Sequence, residues 1–147
     1  MDKESLNLIN SINRGIIKCR GVYSSWSRVH GVSYHEMLVL YTLREYGYCT
    51  QKQVCDSYIL PKQTTHNVIS AMRREGILVY DEENSRGREK AFVLSDKGRE
   101  YAADFLSSLD AVENCALEAL GKEKLGRLTE LLLEFDSALN TALEETR

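Results

Sequence analysis

Lys62, Gln63, Thr64, His66, Asn67, Ser70 and Arg74 crowd one short stretch of the chain, and each offers a hydrogen-bond donor, an acceptor or a fixed positive charge. That set suits recognition of a polar surface better than bond breaking. Placed on a helix, these residues share one side, while Thr65, Val68, Ile69 and Met72, at i, i+3, i+4 and i+7, line the other and predict a core-facing stripe. Pro61 fits the first helical position, where its missing N–H is no loss. Gly76 fits the position just past the end, where a left-handed residue closes a helix. Short hydrogen-bonding side chains over the first two turns and arginines over the last match a helix whose N-terminal half enters a DNA major groove. The bland alternative is an ordinary solvated helix face.

The segment beyond this helix favours DNA recognition. Ile77 to Tyr80 is a strand-like run, Asp81 to Lys90 a polar hairpin tip containing Gly87, and Ala91 to Leu94 a second short strand. The tip carries Arg86, Arg88 and Lys90. A helix trailed by a basic two-stranded ribbon predicts a winged helix. Upstream, Thr50 is placed to cap a short helix carrying Val54, Cys55 and Tyr58. With the polar helix it makes a helix-turn-helix.

In these motifs the chain resembles the MarR family of bacterial transcription regulators. Pro61 to Gly76 follows the family's recognition-helix pattern without a gap. Gln53-Val54-Cys55-Asp56 sits where the family has a Leu-Ala pair, and Arg88 followed by Phe92, Leu94-Ser95 and Gly98 is similar to its Arg-x-x-x-Val-x-Leu-Thr-x-x-Gly signature. The resemblance covers essentially the whole chain. One departure is Arg86, where the wing commonly has an Asp two residues before the Arg. The resemblance implies a mainly α, winged-helix (α+β) fold in a single chain of residues 1–147. It implies a DNA-binding lobe at 33–98 and dimerisation helices at 1–30 and 99–147. It also implies a transcription regulator, read here as a repressor, that binds double-stranded operator DNA at an inverted repeat.

Composition agrees with one globular domain and bounds the alternatives. Met1 to Gly15 is polar, and no run is long and apolar enough to cross a bilayer, so a soluble cytoplasmic protein without membrane partners is expected. Cys19, Cys49, Cys55 and Cys115 are scattered without a C-x-x-C pair, which argues against a disulfide framework or a zinc ribbon. His30, His35 and His66 have no metal-ligand spacing, and there is no Gly-rich phosphate loop or nucleophile elbow. No enzyme, metal or cofactor is expected. The net charge of −3 is unusual for a DNA binder. It is unevenly spread: Ser5 to Tyr34 contains Arg14, Lys18, Arg20 and Arg28 and no acid, whereas Arg99 to Arg147 is rich in acids.

The flanking segments must hold this lobe. Ile9, Ile12, Ile16, Cys19, Tyr23 and Trp26 alternate by threes and fours over a first helix from Ser5 to Val29, ended by Gly31. Ser33 and Glu36 predict a capping box for a second helix through Met37, Leu40 and Leu43. Ser95 caps a long helix to Leu120, and Gly121 separates it from a last helix with Leu125, Leu128, Leu132, Phe135 and Leu139 in register. Such long seams predict a homodimer built from the first and last two helices. A bundle closed within one chain is the competing arrangement.

Members of the resembled family include sensors of small aromatic or anionic molecules and sensors of oxidants. The candidates here are Cys19, Tyr23, Trp26, His30, Tyr34 and Tyr41, with Met37 beside them and Arg20 and Arg28 nearby. Their other reading is an aromatic core in which Cys19 is an inert buried thiol. The competing function is a winged-helix dimer used as a protein-interaction module, with the acidic surface as its working face.

Overall fold

The computed structural model describes residues 1–146. Side-chain caps set the frame. Asp2 opens helix α1 (Lys3–Val29) by accepting the Ser5 N–H at 2.9 Å and the Ser5 hydroxyl at 2.8 Å, which lowers the Asp2 pKa. The helix closes at His30, with Gly31 at φ 73°. Ser33 and Glu36 form the expected capping box of α2 (Tyr34–Tyr46): the Ser33 hydroxyl accepts the Glu36 N–H at 3.2 Å, and the Glu36 carboxylate accepts the Ser33 N–H at 2.8 Å.

Strand β1 (Cys49–Thr50) leads into α3 (Gln51–Tyr58), whose start is a second capping box between Thr50 and Gln53. Helix α4 (Lys62–Arg74) comes next. Pro61 precedes α4 instead of opening it, because its ψ of 136° is extended; Glu75 is the C-cap, and Gly76 has φ 75°.

Strands β2 (Leu78–Arg86) and β3 (Glu89–Leu94) make the hairpin. They run further than hydrophobicity suggests. The segment expected as a polar hairpin tip, Asp81 to Lys90, is mostly strand, and only Gly87 and Arg88 turn the chain. Polar side chains replace the ladder where its register breaks between Asp81 and Arg86. The Asp81 carboxylate accepts the N–H groups of Glu83 and Asn84 at 3.1 and 3.4 Å, and the Ser85 hydroxyl donates to the Asp81 carbonyl at 2.6 Å while accepting the Ala91 N–H at 3.0 Å.

The sheet has three strands, not two, in the order β1-β3-β2, with Cys49 opposite Phe92 and Thr50 opposite Ala91. A two-residue strand has no period to read. Its pairing buries the Cys49 thiol, and burial pushes that group's pKa up to about 12. Around the sheet the core gathers Met37, Val39 and Leu40 from α2, Val54 from α3, and Ile69 and Met72 from α4. The start of helix α5 (Asp96–Leu120) is bolted to the turn after α4: the Ser95 hydroxyl donates to the Gly76 carbonyl at 2.5 Å and accepts the Gly98 N–H at 2.9 Å. Gly98 is required there, since a Cβ would stand 2.1 Å from the Ile77 carbonyl oxygen.

The chain divides into two compact units, Met1–Phe105 and Leu106–Arg147. In the second unit, α6 (Lys122–Glu145) contains no buried residue, and Leu128, Leu131, Leu132, Leu133, Leu139 and Leu143 are exposed. In the first, the α1 stripe is partly uncovered: Ile9 is half-buried, Ile12 and Ile16 are exposed, and so is Cys19, which the seam pattern alone assigns to packing. Helical periodicity marks such a face without saying what covers it.

Candidate nucleic-acid interface

Helix α4 presents its two faces as its sequence divides them. Thr65, Ile69 and Met72 are buried, Val68 is half-buried, and Lys62, Gln63, His66, Asn67 and Arg74 are exposed, with Thr64 and Ser70 half-buried. The helix is held from beneath by α3. The Gln51 side-chain amide donates to the Lys62 carbonyl at 3.0 Å, and the Cys55 thiol meets the Thr65 hydroxyl at 3.2 Å. Between them runs a turn in which Ile59 adopts a left-handed conformation, φ 50° and ψ 49°.

The exposed side chains pair along the helix. The Gln63 amide donates to Asn67 Oδ1 at 2.8 Å, and the Ser70 hydroxyl lies 3.4 Å from His66 Nε2. These i, i+4 contacts sit in water, so exchanging them for contacts with base edges is close to neutral in hydrogen-bond energy.

The wing is tied to both helices. The Thr50 hydroxyl, at the start of α3, donates to the Glu89 carboxylate at 2.5 Å. On α4, the Arg73 guanidinium stacks over Tyr80, 3.9 Å from the ring centre, with Phe92 at 5.6 Å. Arg88 and Lys90 are exposed beside the tip. Arg86 behaves differently, because its guanidinium folds back to donate to the carbonyls of Glu83 at 2.6 Å and Ser85 at 3.0 Å. The extra charge at that position therefore doubles as a brace for the wing's irregular strand. Lys52 is paired with Asp56 at 2.5 Å, an interaction that raises the lysine's pKa.

A cleft of about 590 Å³ lies between α4 and the wing, with Lys62, His66, Ser70, Arg88 and Lys90 on its walls and Cys55 and Ile69 also lining it. Five of the ten polar and cationic residues singled out in the sequence thus line one cleft of the first unit, and Gln63, Thr64, Asn67, Arg74 and Arg86 lie outside it. Helical spacing does not reveal Arg73 as a wing contact, since its partners are contributed by strands beyond the helix.

The aromatic candidates fall into three groups of contacts. Tyr23 meets Tyr41 edge-on at 6.2 Å, with Arg44 over the Tyr41 ring at 4.4 Å. Trp26 stacks with His30 at 4.1 Å and with Phe105 at 5.0 Å, and His30 Nδ1 is 2.9 Å from the Trp26 carbonyl. Arg20 lies over Tyr34 at 5.2 Å. Met37 is buried, while Tyr23, Trp26, Tyr34 and Tyr41 are half-buried and His30 is exposed. Phe105 and Arg44 join this group only through tertiary contact. Among the described residues no cluster of His, Cys, Asp or Glu is arranged to hold a metal ion, and no helix is long and apolar enough to cross a membrane.

No protein-family model matches the chain, and no curated protein matches it by sequence. Solved structures do match. NMB1585, a MarR family regulator from Neisseria meningitidis, superposes with a TM-score of 0.86 at 24% identity, over 95% of this chain and 99% of that one. NadR in complex with 4-hydroxyphenylacetate gives 0.71 at 18% identity, over 84% and 91%. Bordetella bronchiseptica BpsR, whose DNA binding is regulated by 6-hydroxynicotinic acid, gives 0.66 at 15% identity, over 88% and 98%. The fold is that of the MarR-type winged-helix regulators.

Proposed function

We propose that this chain is a MarR-family transcription regulator that binds double-stranded DNA as a homodimer and acts as a repressor. The observation that carries the reading is the exposed polar face of α4 beside a wing bearing Arg88 and Lys90, in a fold shared with DNA-binding regulators. Lys62, Gln63, Thr64, His66, Asn67, Ser70 and Arg74 face the major groove, with the N-terminal residues on base edges. Arg86, Arg88 and Lys90 approach the backbone or minor groove.

Two copies are required to cover the exposed leucines of α6 and the open stripe of α1, and two recognition helices then read the halves of an inverted repeat. Binding weakens steeply with salt, since affinity rests on phosphate neutralisation while the chain's net charge is −3. The protein is not an enzyme and works in the cytoplasm.

A small aromatic, anionic effector fits the group of Tyr23, Trp26, His30, Tyr34 and Tyr41, where Arg20 supplies positive charge over a ring. Both 4-hydroxyphenylacetate, in complex with NadR, and 6-hydroxynicotinic acid, which regulates DNA binding by BpsR, have that chemistry. Cys19 on α1 is the candidate for oxidant sensing. Selection from a randomised duplex pool, followed by a gel shift with and without aromatic carboxylates, tests the reading. Enrichment of an inverted repeat is the expected result; failure to retain any duplex at low salt overturns it.

A further inference from the structure

Of the cations on α4, Lys62 and Arg74 are exposed, whereas Arg73 is half-buried with its guanidinium over the base of the wing. Its two ring neighbours are Cα partners across the β2–β3 ladder, and the Tyr80 and Phe92 rings are 5.3 Å apart. The stack therefore spans the hairpin where it leaves the body of the lobe. On the same cleft, Arg88 and Lys90 lie further along the wing, so a change of angle at Tyr80 is magnified at the tip.

We infer that Arg73 is a positioning residue that sets the wing against α4, so that Arg88 and Lys90 reach the DNA in step with the recognition helix. The function assigned to it rests on the DNA-binding reading above; its effect on the wing does not. What the position demands is a plane as well as a charge. A guanidinium stacks flat on a ring, whereas an ammonium is a compact, strongly hydrated point charge. A simple phosphate contact at the same place needs only the charge and accepts lysine.

The test uses the full chain carrying Arg73→Lys, Arg73→Gln, Tyr80→Leu, and the double variant Arg73→Lys with Tyr80→Leu. Amide hydrogen exchange of the wing tip is read in the DNA-free protein. Affinity is read across a salt series on a duplex selected by the wild type from a random pool. Arg73→Lys, despite its unchanged charge, is expected to speed exchange at the wing tip and to weaken the duplex roughly tenfold, with base preference beneath α4 unaltered. The double variant is expected to lose no more than the worse single one, since both remove the same stack.

Wild-type exchange and affinity in Arg73→Lys, with Arg73→Gln alone losing affinity and about one unit of salt slope, would make Arg73 a phosphate contact and overturn the inference. Unchanged wing exchange in every variant would overturn it too. Faster exchange in a protein that selects no duplex would uphold the coupling of Arg73 to the wing and count against the DNA reading instead.

Discussion

Helices α4 and α6 carry the same three-and-four alternation of apolar residues, and the structure treats them in opposite ways. In α4 the stripe disappears into the lobe: Ile69 is 4% and Met72 0% exposed. In α6 nothing is buried, and Leu128 and Leu139 stay 48% and 47% exposed. Periodicity states that a face wants a partner, not which chain supplies it. The winged lobe meets its needs internally, down to a full complement of hydrogen bonds for its buried side-chain polar atoms. Under the homodimer proposed above, a second copy covers the leucine face of α6, since leaving such a patch in water costs about 25 cal/mol per Å².

The sharpest way to break this comparison is to charge the open face. Leu132→Asp with Leu139→Asp should give a monomer or an aggregate on sedimentation. Because half-sites would then bind one at a time, affinity for an inverted repeat should fall by about 10²–10⁴-fold. A well-folded dimer binding as before would show that α6 is not the joint. The converse substitution attacks the closed face. Met72→Ala removes a fully buried side chain and should cost about 2–5 kcal/mol in denaturant unfolding of the lobe. Oligomeric state at low denaturant should stay the same.

Within the lobe, helix and wing are expected to fail differently. Asn67→Ala should cost about 1–3 kcal/mol on a selected duplex and relax preference at particular base pairs. Arg88→Ala should weaken all sequences alike and flatten the salt dependence by roughly one unit of slope. Unaltered affinity and slope in Arg88→Ala would remove the wing from the interface.

The smallest effect concerns the turn that aims α4. Ile59 is 89% exposed and sits in a left-handed conformation that β-branched residues resist. Ile59→Gly should stabilise the lobe by about 1 kcal/mol in thermal or denaturant unfolding. A loss of stability would mean that the exposed isoleucine makes contacts worth more than its strain.

Much of this arrangement was legible in the chain because it depends on neighbours three or four residues apart. The capping box at Ser33, the N-cap at Thr50, the helix ends at Gly31, Gly76 and Gly121, and the two faces of α4 arise from local backbone hydrogen bonding and helical geometry. What eluded the sequence has partners far along it. The strand at Cys49 and Thr50 exists only because β3 lies beside it, and the wing extends through Asp81 to Arg86 because Asp81 and Ser85 supply hydrogen bonds that no hydropathy pattern records.

The same division runs through the candidate site. Which α4 residues point outward follows from spacing along the helix, since a helix with one apolar stripe has a single way to lie on a core. That Arg73 belongs to Tyr80, that Arg86 braces its own wing, that Phe105 stacks on Trp26 and that Cys19 is exposed came from the fold. Each of these is settled by where a second segment comes to rest, and side-chain spacing along one helix carries no information about that.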